Sequence, residues 1–237
     1  MNKYDLAKQR FDVVLLDADE TIFDFKKAEA HSFKLMLESF GIDYTEERLA
    51  RYSAINLSLW KALERGDVTR ERLKTLRFEQ FFSEIGVTDI DAVAVNDCYL
   101  TNLSNSTFMI DGAEEFVKEL HKYCRIYLAT NGLTKAQTGR FSQSAVKDDI
   151  DGVFISEQMG FAKPDKAYFD FIFKEIGTED RSRAIIVGDS LTSDMQGGKN
   201  AGIKTCLYSR SGDVVESDLC DYQITDYNTF FDILFSK

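Results

Sequence analysis

The sequence predicts an α/β fold, a Rossmann-like parallel sheet core with an inserted all-helical cap domain. Three observations predict it. Short apolar runs at residues 11–17, 125–130, 153–156, 184–188 and 204–208 read as buried strands. Helix-like stretches at 113–123, 135–144, 166–176 and 194–201 lie between the later runs, and strands alternating with helices indicate βαβ units. Between about residues 25 and 105 the alternation stops. There Phe33, Leu37 and Phe40, then Leu73, Leu76 and Phe81, recur at helical spacing without a convincing buried strand.

Each element follows from its local chemistry. The run 11–16 is apolar apart from Asp12, as a strand covered on both faces requires. The helical stretch breaks at Gly41, Gly66 and Gly86, which predicts about four helices. Its length points to a separate domain rather than helices packed on the sheet. The expected boundaries are a core of residues 1–24 and 106–237 and a cap of residues 25–105. A helical domain placed after the first strand would close over a ligand. Trp60, the only tryptophan, is expected in the core of that domain rather than as a platform for a base.

Composition narrows the function. Lys and Arg total 29 against 40 Asp and Glu, a net charge of −11. That balance argues against nucleic acid polymers and anionic membranes as partners, and leaves a small anionic substrate open if the site supplies its own positive charge. The four cysteines form no C-x-x-C pair, so zinc spacing is absent and free thiols of a reducing compartment are expected. No apolar run approaches a membrane span, and residues 1–5 lack the apolar region of a signal peptide. A cytoplasmic location is expected.

The chemistry is concentrated at strand ends. The first apolar run leads into Asp17-Ala18-Asp19-Glu20-Thr21. If the chain stays extended, Asp17 and Asp19 point the same way. Two like charges that close need a cation or a shared proton, and a hard divalent ion such as Mg²⁺ resolves the repulsion. Three more polar motifs follow apolar runs: Thr130-Asn131-Gly132, Lys163-Pro164, and Gly188-Asp189-Ser190 with Asp194 beyond it. Taken singly, these read as a turn, a solvated lysine, a strand-ending turn and a helix cap. In a parallel sheet they share one edge, where such sheets bind ligands.

Together they suit phosphoryl transfer. Asp189 with Asp17 can hold Mg²⁺, which neutralises a phosphate oxygen. Thr130, with Asn131 beside it, can hydrogen-bond phosphate oxygens, and Lys163 adds a fixed positive charge. One Asp carboxylate can attack phosphorus, and a second must protonate the leaving oxygen and later activate water. Asp19 is placed for the second role.

In this order, D-A-D-E-T, L-A-T-N-G, A-K-P-D and G-D-S-L-T-S-D resemble the four signature motifs of the haloacid dehalogenase superfamily of phosphatases. The resemblance implies Asp17 as nucleophile and Asp19 as general acid/base with its main-chain carbonyl on the metal. It implies Thr130 and Lys163 on the phosphoryl group, Asp189 as a direct Mg²⁺ ligand and Asp194 acting through water or by orientation. Residues 17–25, 56–69, 155–164 and 187–202 further resemble the bacterial pyrimidine 5′-nucleotidases of that superfamily, which often carry Asp where this chain has Glu20. A small phosphate monoester is therefore the expected partner. Other readings left open are a sugar phosphate or phosphoglycolate as substrate, carbon–halogen hydrolysis, and a non-catalytic phospho-receiver. Asp19 argues against dehalogenation, and the helical insert against a receiver.

Overall fold

The computed structural model describes residues 4–235. They separate into two compact units, one taking in the chain up to Phe25 and from Thr107, the other Lys26–Ser106. The strands are β1 (Val13–Leu16), β2 (Arg125–Thr130), β3 (Gly152–Ile155), β4 (Ala184–Gly188), β5 (Lys204–Tyr208) and β6 (Tyr222–Ile224). The helices are α1 (Phe25–Ser39), α2 (Glu46–Glu64), α3 (Arg70–Glu84), α4 (Ala92–Ser104), α5 (Ala113–Leu120), α6 (Thr134–Ser142), α7 (Ser156–Met159), α8 (Lys166–Glu175), α9 (Gln196–Ala201) and α10 (Tyr227–Leu234).

The first unit is built on one parallel sheet in the order β3-β2-β1-β4-β5-β6. β1 lies between β2 and β4, with Leu16 opposite both Leu128 and Val187. Alternation along β1 sends Val14 and Leu16 to one face, against Phe116 of α5 and Phe230 of α10. Val13 and Leu15 go to the other, against Phe169 and Ile172 of α8. Both faces are covered, so β1 and β4 are apolar and buried along their whole length. The expected strands are present, and β6 joins them at the sheet edge. With three residues, β6 is too short to carry a readable period.

The second unit is helical. Three of its helices, α2, α3 and α4, start on polar caps: Thr45 Oγ1 accepts from Arg48 N, Thr69 Oγ1 from Arg72 N, and Asp91 from Val93 N and Ala94 N. Phe33 stacks on Tyr52 at 4.5 Å between ring centres, and Phe78, Phe81 and Tyr99 close around that pair. A polar thread crosses this core. Glu29 accepts from Asn56 at 2.8 Å, and the buried Arg77 donates to Asn56 and, at 2.9 Å, to Asn96. Trp60 is half-buried and lies outside the fully buried core. The four cysteines are free. Among the described residues no helix is long and apolar enough to cross a membrane.

Candidate active site

The site forms where β1, β2 and β4 run out. Asp17 follows β1 and its N–H donates to Val187 O of β4 at 2.9 Å. Thr130 ends β2, and Gly188 ends β4 with Asp189 directly after it. Lys163 comes in on the loop before α8, held by Asn131. The Asn131 amide donates to Lys163 O at 2.8 Å, and its oxygen accepts from Lys163 N at 2.9 Å. That grip on the main chain aims the Lys163 side chain at the end of β1.

The Lys163 ammonium is fully engaged. It donates to Asp17 Oδ1 at 2.5 Å, Asp194 Oδ1 at 2.6 Å and Ala129 O at 2.6 Å, which uses all three of its protons. Lys163 is 3% exposed. Burial opposes its charge, but the Asp17 and Asp194 carboxylates outweigh burial and raise its pKa well above the ordinary lysine value.

Asp194 sits in a single π turn, Leu191–Met195, a feature frequent at functional sites. Its second oxygen accepts from Ser190 N at 3.1 Å. Gly188 makes that position available, since a Cβ there would lie 2.3 Å from Asp194 Cγ. Asp17, Asp189 and Asp194 each present a carboxylate oxygen within 4.8 Å of the others. Burial, only partly offset by Lys163, raises the Asp17 pKa well above the ordinary carboxyl value, and the Asp194 and Asp189 charges add to it. Loss of hydration beside the surrounding protein, then the Asp194 charge, pushes Asp189 up to about 7, although its side chain still reaches the surface. Three carboxylates face one ammonium. An all-oxygen donor set that short of positive charge fits a hard divalent cation such as Mg²⁺.

Asp19 is arranged differently from the expectation. The chain bends at Ala18 rather than staying extended. The Asp19 carboxylate is not among the three whose oxygens lie within 4.8 Å of one another, and two protein donors meet its charge. Arg140 Nη1 donates to Asp19 Oδ1, and Gln137 Nε2 donates to Oδ2 at 2.6 Å. Thr130 is buried with its Oγ1 accepting from Gly132 N at 3.0 Å, which leaves its own proton to donate. Asn131 lies beside it, but its amide is committed to Lys163.

Sequence reasoning missed Arg140 and Gln137. Their signal was indirect. The buried residues of α6 are Ala136, Gln137 and Arg140, a polar inner face on a helix that a stripe of apolar residues would ordinarily anchor.

The chain is similar to known hydrolases. A model of the haloacid dehalogenase-like hydrolases matches residues 11–202. The chain is 34% identical over 197 residues to the pyrimidine 5′-nucleotidase PynA of Streptococcus pneumoniae, covering 83% of each chain. It is 31% identical over 197 residues to the pyrimidine 5′-nucleotidase YjjG of Escherichia coli, covering 83% of this chain and 85% of the other. The magnesium-bound crystal structure of the HAD-hydrolase YfnB of Bacillus subtilis superposes with a TM-score of 0.88 at 32% identity, over 95% of this chain and 99% of the other. The chain belongs to the haloacid dehalogenase-like hydrolases.

Proposed function

We propose that the chain is a Mg²⁺-dependent phosphomonoesterase whose substrate is a pyrimidine nucleoside 5′-monophosphate. The observation that carries the reaction class is the packing of Asp17, Asp189 and Asp194 around the Lys163 ammonium. The similarity to two pyrimidine 5′-nucleotidases supports the substrate.

Asp17 is the nucleophile: a carboxylate oxygen bonds to phosphorus as the ester P–O bond breaks. Asp19 gives a proton to the departing alcohol oxygen, then takes one from the water that attacks the aspartyl-phosphate. That attack breaks the Asp17–phosphate bond and releases inorganic phosphate. Lys163 holds the attacking oxygen in place and sets positive charge beside the phosphoryl group throughout. Thr130 offers its hydroxyl proton to a phosphoryl oxygen, and Asn131 serves chiefly by anchoring Lys163. Mg²⁺, held by Asp17, Asp189, the Asp19 carbonyl and, at one remove, Asp194, would supply charge neutralisation and in-line alignment of the phosphate.

Phosphate release is the test, with Mg²⁺ and with EDTA, from UMP, dUMP, dTMP, CMP, AMP, GMP, phosphoglycolate and glucose phosphates. The expected result is Mg²⁺-dependent release led by the pyrimidine nucleotides. Preference for a sugar phosphate would overturn the substrate, and no release from any ester would overturn the reaction class.

A further inference from the structure

Arg140 lies wholly inside the protein and makes few bonds there. Its side chain is 0% exposed, and Nε and Nη2 have no hydrogen-bond partner among the described residues. What it does contact is specific. Nη1 donates to Asp19 Oδ1, and the guanidinium lies 4.7 Å from the centre of the Phe23 ring. Phe23 and Asp19 belong to one turn, joined by a bridge between them. The turn therefore presents both a carboxylate and a ring to the same cation. A buried charge left this incompletely paired is costly, and a packing role alone would be met better by an apolar side chain.

Gln137 completes the arrangement from one helical turn earlier. Its Nε2 takes the other Asp19 oxygen at 2.6 Å. It reaches there by crossing Gly132, where a Cβ would lie 2.2 Å from Nε2 and 2.8 Å from Cγ. The glycine of the Thr130-Asn131-Gly132 turn thus makes room for an amide aimed at Asp19. Two donors fix the carboxylate, one on each oxygen. A carboxylate has about four lone-pair sites, so two remain for proton transfer. The Asp19 side chain is 27% exposed, which leaves those sites accessible.

We infer that Arg140 and Gln137 are positioning residues that fix the Asp19 carboxylate for proton transfer to the leaving oxygen. The inference rests on the phosphatase reading above. It separates substrates by leaving group. An alkoxide departing from a nucleotide needs the Asp19 proton, whereas p-nitrophenolate departs without it. The ratio kcat/KM covers steps up to leaving-group departure and isolates this proton transfer from the later water attack.

The experiment measures kcat/KM for UMP and for p-nitrophenyl phosphate, with Mg²⁺, in wild type, Arg140→Met, Gln137→Leu and Gly132→Ala, each checked for folding by thermal melt. The expected result is a fall of ~10- to 100-fold on UMP with a change within about 3-fold on p-nitrophenyl phosphate. If Arg140→Met does not fold, the two neutral substitutions carry the test. Equal losses on both esters, or no loss on UMP, overturn the positioning role while leaving the phosphatase reading in place. Failure of the wild type to hydrolyse either ester overturns that reading, and the inference with it.

Discussion

At the scale of single residues, the site is a set of charges assigned to different partners. Lys163 serves Asp17 and Asp194, and Arg140 serves Asp19. The two acids of the first motif thereby acquire different surroundings, which is how a pair of like groups comes to do different work. In the proposed reaction Asp17 carries the bond-forming oxygen. Asp17→Asn keeps an oxygen for Lys163 to donate to but removes the proposed nucleophile. Turnover is expected to fall by at least ~10³-fold while the urea midpoint stays close to wild type. Phosphate release beside a denaturation curve checks both. Substantial residual turnover in pure, folded protein would rule out covalent catalysis by Asp17.

At the scale of elements, the strand ends and the turns after them decide the geometry. β4 ends at Gly188 because the π turn Leu191–Met195 folds Asp194 back over that position. The close approach leaves no room for a methyl group, and Gly188→Ala must push Asp194 away from Lys163. We expect a loss of about 1–3 kcal/mol in stability, with activity falling more than 10-fold. Urea melts and steady-state rates measure the two effects. A variant with wild-type rates would show that Asp194 has no need of its observed place. The same reasoning applies to α6, whose inner face is polar because it delivers Gln137 and Arg140 to the turn after β1.

At the scale of the whole molecule, the net charge of −11 makes acid stability depend on which carboxylates hold protein partners. Asp221 is the clearest case. It accepts from Lys199 Nζ and Lys204 Nζ at 2.9 Å and from Thr205 N at 3.0 Å, tying α9 and β5 to the chain before β6. Burial opposes its ionisation, but the hydrogen bonds from Lys204, Lys199 and Thr205 win and hold it at about 2. A carboxyl lowered on folding contributes stability above its unfolded pKa and loses it as pH falls through the folded value. Wild type should therefore exceed Asp221→Asn by about 1–2 kcal/mol near neutrality. That gap should close between about pH 4 and pH 2. Urea unfolding across that range tests the sign, and a gap constant with pH would refute it.

The parallel sheet, the helical insert and the residues at the strand ends can be read from the order of amino acids alone. Those features are written locally. An apolar run of four to six residues marks a strand, and the polar residues that end it fall on one sheet edge whatever the rest of the chain does. Asp17, Thr130 and Asp189 were legible for that reason, whereas Lys163 lies on the loop before α8 and Asp194 in the π turn, each some residues past a strand end. The pairing of their charges emerges only in the folded chain. Lys163 meets Asp17 across 146 positions of chain, and Arg140 meets Asp19 across 121. No local period encodes such a pairing. It appears once helix α6 is docked beside the turn after β1, and burial then makes each unpaired charge expensive enough to fix its partner.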